Sequence, residues 1–249
     1  MVMELVIISP FVALWFFKIM PLWMTIICIA TLYWIPKWLI SILEYLFPQI
    51  IFRSPLERKK IIALTFDDVP YQQGSHNEII SLLDQYEAKG TFFCILDDAK
   101  NSYPSLVHAV NNGHQLANHG CTNSIHGIKN AKQLEEEITK CDIQIKKIYN
   151  EAAIPLPQKM IYRPGYGLFN GMMIEVANKL GYQIALGSVY PNDPSIILDF
   201  INYWYLIYHI EGGDIVVLHD RKWTPGLLKM LLPWLKNNGY RCVTLDNLL

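Results

Sequence analysis

Beyond residue 60, short unbroken apolar runs alternate with longer stretches in which apolar residues recur at helical spacing. The first run, Ile61-Ile62-Ala63-Leu64-Thr65-Phe66, predicts a buried strand, because β-forming residues follow one another without a break and acidic residues come next. Ser75-His76-Asn77-Glu78 has the spacing of a capping box and opens a helix that ends at Lys89-Gly90. Residues 91–95 are the next strand. A helix begins at Pro104 and stops at Asn112-Gly113, and residues 114–119 form a strand ending in histidine. Asn130 caps an amphipathic helix from 132 to about 149. Strands follow at 160–163, 181–186 and 214–220, and a helix over 227–236 and a strand over 241–245 close the chain. Strands thus alternate with helices, the layout of an α/β protein of (β/α)-barrel type, whose chemistry collects at the carboxyl ends of its strands.

The first 52 residues break this rhythm. Their charges are Glu4, Lys18, Lys37 and Glu44 alone. Residues 19–35 run without a charge, close to the length of about 20 residues that crosses a bilayer core. Apolar runs at 5–17 and 38–52 flank them. Trp15, Trp23, Trp34 and Trp38 suit the headgroup region, and no small-residue cleavage site follows. The expectation is a hydrophobic membrane anchor over residues 1–52 and a globular domain over 53–249. Arg53, Arg58, Lys59 and Lys60 after the apolar region favour the cytoplasmic face for that domain, whereas a single crossing that starts inside would place it outside.

Composition adds exclusions. The chain of 249 residues is 52% hydrophobic and 17% charged, with a formal net charge of -1. Near neutrality excludes the basic footprint of a nucleic-acid binder, and no protein partner is inferable. Five cysteines with irregular spacing and no CxxC indicate neither a disulfide framework nor a zinc ribbon, which favours a reducing compartment.

Candidate chemistry sits at the predicted strand ends. Asp67 and Asp68 follow the first strand; adjacent carboxylates repel, so they imply a cation or a shared proton, or else a solvated acidic turn. His119 ends a later strand, and His126 lies in the loop after it. Two imidazoles with a carboxylate suit a borderline divalent metal. Arg163 ends another strand beside Pro164-Gly165-Tyr166-Gly167, where an arginine can clamp a carboxylate and the glycines admit a ligand close to backbone N–H groups. His219 ends the strand over 214–220. His76 reads most simply as a first-turn helix residue.

With these motifs in order, the region from about residue 61 to 249 resembles the polysaccharide deacetylases, the carbohydrate esterases of the NodB-like domain. Thr65-Phe66-Asp67-Asp68 is similar to their first motif, Asn118-His119 to the start of the second, Arg163-Pro164-Gly165-Tyr166-Gly167 to the third and Leu218-His219-Asp220 to the last. The resemblance implies a distorted, incomplete (β/α) barrel that hydrolyses N-acetyl groups on amino sugars such as chitin or other N-acetylglucosamine-containing glycans. It implies Asp67 as general base, held ionised by Arg163, and His219 as general acid. Asp68 and His119 become ligands of a divalent metal, zinc or cobalt, and the Tyr166 N–H an oxyanion donor.

The chain departs from the family pattern twice. The residue four after His119 is Asn123, so the third ligand is His126 on a longer loop, or Asn123 with water. The family's motif of an Asp beside a Trp that orients the catalytic histidine is not recognisable, and Asp193 is the nearest candidate. Tyr71 and Trp223 either stack on sugar rings or pack in loops. Two other readings stay open: a deacylase of a lipid-linked sugar at the membrane, and a catalytically silent glycan-binding relative.

Overall fold

The computed structural model describes residues 21–26, 35–54, 60–71, 75–96, 103–122 and 124–249. Its elements, numbered among those residues, begin with α1 (Lys37–Leu46), β1 (Ile50–Ile51), β2 (Ile61–Val69), α2 (His76–Gln85), β3 (Gly90–Cys94), α3 (Tyr103–Asn111) and β4 (Gln115–Asn118). There follow α4 (Ala131–Glu151), β5 (Met160–Tyr162), α5 (Gly171–Lys179), β6 (Tyr182–Ala185), α6 (Asp199–His209), β7 (Ile215–His219), α7 (Thr224–Asn237), β8 (Arg241–Val243) and α8 (Leu245–Leu248). All strand pairings are parallel, in the order β1-β6-β5-β4-β3-β2-β7, with β8 beside the first residues of β2. A parallel sheet covered on both faces needs strands that are apolar throughout. In β2 every residue from Ile62 to Val69 is buried.

The sheet closes on itself beyond β6. The chain turns through Gly187, at φ 108°, and Ser188 and Val189 then bond to β7: Ser188 N–H to the Ile215 carbonyl at 3.0 Å, and Val217 N–H to the Val189 carbonyl at 2.9 Å. β1 covers the other edge of β6, and Arg53 forms an antiparallel bridge with Asp214. Side chains of one parity point inward. Ala63, Phe93, Ala117, Ile161, Ala185 and Ile215 fill the floor of the barrel, and Leu245 and Leu248 of α8 plug it from below. Outside, helices α2, α3, α6 and α7 pack on one side and α1 and α5 on the other. Helix α4 joins the two, with Leu134 and Ile138 on the second and Cys141, Ile145 and Ile148 on the first.

Local signals explain most element ends. Asn130 caps α4 in a reciprocal box with Gln133, at 3.0 and 3.1 Å. Ser75 precedes α2 without a side-chain cap bond, and Glu78 instead pairs with Lys229 of α7 at 2.8 Å.

The amino-terminal expectation requires correction where the structure describes it. No helix among the described residues is long and apolar enough to cross a membrane. The run at 5–17 and most of 19–35 lie outside the described residues. The run at 38–52 belongs to the domain: α1 packs Ile40 against α5 and β6, Ile50 and Ile51 extend the sheet, and Phe52 is buried. An apolar helix with one face on a protein core reads in sequence like a piece of membrane anchor.

Gly187→Ala tests the closure. A Cβ there would stand 2.4 Å from Val217 Cγ2 and 3.1 Å from the Ile215 carbonyl, at a φ that disfavours side chains. We expect a loss of about 1–3 kcal/mol, read as a lower urea midpoint with unchanged slope.

Candidate active site

The inward parity of each strand carries from the apolar floor to a polar mouth. Ala63, Thr65 and Asp67 succeed one another on β2; Ala117 leads to His119, Ile161 to Arg163 and Ile215 to His219. Arg163 and Asp67 are both buried and meet at 2.6 Å. The same Nη1 donates to Thr65 Oγ1 at 2.9 Å, Nε donates to the Ala185 carbonyl at 2.9 Å, and the guanidinium lies 3.9 Å above the Phe93 ring. Charge-assisted bonds of this kind fix the Asp67 carboxylate in one orientation.

Asp68 should face away from Asp67, since side chains alternate along a strand. A bulge between Phe66 and Val69, with Asp68 at φ 63°, removes that alternation. Asp68 Oδ1 then faces His119 Nε2 at 3.6 Å, and Oδ2 accepts from Arg221 Nη2 at 2.5 Å. Burial opposes the Asp68 charge, but hydrogen bonding with His119 and the nearby His219, His119 and Arg221 hold its carboxyl well below the usual range. His119 Nδ1 donates to the Arg163 carbonyl at 2.7 Å, which leaves Nε2 aimed at Asp68. Burial lowers the His119 pKa, yet Asp67 and Asp68 raise it overall. A basic ring nitrogen facing a carboxylate, with its other N–H held by a backbone carbonyl, fits two ligands of a divalent metal.

His126 does not join this pair. Its Nδ1 accepts from the Tyr162 hydroxyl at 2.7 Å and the Gly165 N–H at 3.2 Å, and Nε2 donates to the Thr122 carbonyl at 3.3 Å. Burial first, then His119 and Lys129, push its pKa down to about 4, so the ring is neutral. Among the described residues, no group of three or more His, Cys, Asp or Glu side chains is arranged to hold a metal. Asn123 lies outside the described residues. Glu137 of α4 ties down the loop before it, accepting from the Cys121 and Thr122 N–H groups at 2.8 and 3.2 Å.

His219 is the register partner of Asp67 across β2 and β7. Its Nδ1 bonds the buried Asp193 carboxylate at 2.9 Å, and the other Asp193 oxygen accepts the His219 backbone N–H at 2.9 Å. Trp223 donates its indole N–H to the Asp193 carbonyl at 2.9 Å. An aspartate and a tryptophan thus meet at the histidine from separate segments, and the Trp223 ring is only partly exposed. Burial lowers the His219 pKa, but Asp193, by charge and hydrogen bond, and then Asp67 and Asp68 raise it overall.

Tyr166, half-exposed, sits at φ 63° in the turn Gly165–Gly167 beside the mouth. Tyr71 is exposed at the rim, its N–H donating to Asp220 Oδ2 at 2.8 Å and its ring 4.2 Å below the Arg221 guanidinium. Sequence reasoning missed Arg221, which directly follows the Leu218-His219-Asp220 motif. It also missed the place of His76, which is buried with Nε2 bonded to Ser105 Oγ at 2.8 Å and Nδ1 3.4 Å from Asp220 Oδ2 of that motif.

The polysaccharide deacetylase family profile matches residues 56–185. The chain belongs to the polysaccharide deacetylase family. A peptidoglycan-N-acetylglucosamine deacetylase of Bacillus cereus is 30% identical over 77% of this polysaccharide deacetylase and 89% of its own length. The peptidoglycan-N-acetylmuramic acid deacetylase PdaA of Bacillus subtilis is 25% identical over 77% of this chain and 72% of its own. Among solved structures, a CE4 family pseudoenzyme from Bacillus anthracis superposes with a TM-score of 0.70 at 20% identity, covering 80% of this chain and 68% of its own, a likeness of fold.

Arg163→Met would leave Asp67 buried without its cation and should cost about 3–5 kcal/mol in chemical denaturation. Arg163→Lys should recover only part of that, since one ammonium cannot reach Ala185, Thr65 and Asp67 together. Asp193→Asn removes the charge that keeps the His219 pKa high. If His219 must carry a proton to act, activity falls as pH rises through that pKa. The alkaline limb of kcat/KM should therefore move to lower pH in the variant.

Proposed function

We infer that this polysaccharide deacetylase hydrolyses N-acetyl groups on amino sugars of a glycan, with peptidoglycan-type strands ahead of chitin because its relatives carry peptidoglycan names. The observation that carries the reading is the pairing of Asp67 with His219 on adjacent strands, each with its own buried counter-ion. In this reading Asp67 is the base that takes a proton from the attacking water. His219, whose pKa Asp193 raises, gives a proton to the sugar nitrogen as the carbon–nitrogen bond breaks, so acetate and a free amine leave. The Tyr166 N–H, in its strained turn at the mouth, is the candidate donor to the oxygen that becomes negative when water adds to the carbonyl. Asp68 and His119 would hold a divalent metal, zinc being our expectation, which when bound supplies a Lewis acid for the acyl oxygen. Tyr71, exposed, and Trp223, partly exposed, are the candidates to stack on a sugar ring.

The test is acetate release by the full chain from peptidoglycan fragments and from chitin oligosaccharides, with and without added zinc or cobalt. Release from peptidoglycan above that from chitin supports the reading. His219→Ala should lower the rate about 10²–10⁴-fold without loss of fold. Release from chitin alone would move the substrate. Absence of release from either by a folded chain loaded with metal would replace the deacetylase with a silent glycan binder.

A further inference from the structure

Helix α1 is apolar on two opposite faces. Inward, Ile40 is buried, and Leu43 and Phe47 join it against α5 and β6, with Phe47 edge-on to Phe169 at 5.0 Å between ring centroids. Outward, Trp38, Ile42, Tyr45 and Leu46 recur at i, i+4, i+7 and i+8 and are 62%, 45%, 85% and 57% exposed. The outer face of a helix on a soluble domain ordinarily carries its charges. Here both charges of the helix turn towards the domain. Lys37 pairs with Glu211 at 2.7 Å and Asp214 at 3.2 Å, and Glu44 accepts from Arg53 at 2.7 Å. Ser41 is held by the same arginine at 3.1 Å. The stripe between them is left without a charged group.

The chain that leads into this helix continues the same chemistry. Residues 1–36 carry only Glu4 and Lys18 as charges, and Leu22, Trp23, Ile26 and Ile35 are exposed. We propose that α1 lies along the surface of a lipid bilayer, with Trp38, Ile42, Tyr45 and Leu46 seated at the boundary between headgroups and acyl chains. Ten residues of helix span about 15 Å, half of a hydrocarbon core of about 30 Å. The inner face is committed to the domain core. The helix can therefore lie in the interface but cannot cross it. Tryptophan and tyrosine are the side chains whose rings favour that depth. Because Ile40, Leu43 and Phe47 pack α1 on α5 and β6, the contact would set the angle of the whole barrel to the membrane.

The proposal is independent of the reaction and is tested without it. In the full chain carrying Cys28→Ser, the buried cysteines at 94, 121, 141 and 242 are protected from labelling. An environment-sensitive fluorophore is placed on Tyr45→Cys, on Ile42→Cys, or on Ile143→Cys, an exposed position of α4. In phosphatidylcholine vesicles, the probes at 42 and 45 should shift to the blue and be quenched several-fold by lipids bearing a doxyl group near the headgroup. The probe at 143 should respond only to aqueous iodide. Equal iodide quenching at 45 and 143 would overturn the proposal. So would probes at 42 and 45 that are shielded from iodide yet indifferent to doxyl lipid, since residues 1–20 or a second copy would then cover the stripe.

Discussion

Arg163 is the group on which the barrel mouth depends. It leaves β5, donates to the Ala185 carbonyl at the end of β6, and bonds Thr65 and Asp67 of β2. It covers Phe93 of β3, and its own carbonyl receives the His119 ring beyond β4. One buried cation thus joins five consecutive strands where a parallel sheet has only backbone bonds to hold its ends. A buried charge is costly unless its surroundings are polar and fixed. The cost is offset by four acceptors or aromatic faces in place before any ligand arrives. The geometry of the mouth and its stability therefore rest on the same interaction.

Around that centre the charges alternate. Each carboxylate of the adjacent pair has a guanidinium, Arg163 for Asp67 and Arg221 for Asp68, and the imidazoles of His119 and His219 face Asp68 and Asp193. The Asp68 bulge makes this arrangement possible, because a regular strand would send one of the two carboxylates into the helix layer. A local departure from strand geometry is thereby exchanged for a site in which two acidic groups face the same ligand space.

Much of this was legible before the structure. The unbroken apolar runs reported strands, and Asp67, His119, Arg163 and His219 stood at or beside their carboxyl ends. Parity then decides which face they take. What stayed hidden depends on contacts between distant segments. Lys37 and Glu44 look like isolated charges in an apolar run until Asp214 and Arg53 come beside them. The orientation of His126 is decided by a tyrosine hydroxyl on another strand. Asp193 and Trp223 assemble across thirty residues, so no contiguous motif records them. Helix α6, rich in aromatic and β-branched residues, has weak helical preference and owes its helix to packing on α7.

The pairing of β1 with β6 bears on how small a piece of this chain can stand alone. A fragment trimmed to start at Arg53 would keep every residue at the barrel mouth. It would also bare the backbone edge of β6 and the pocket that receives Ile40, Ile50 and Phe52. An open parallel edge beside an apolar hollow invites pairing between copies. Such a fragment would carry the polar mouth on a sheet whose edge is open to other chains. A unit that keeps this edge covered and this hollow filled includes α1 and β1.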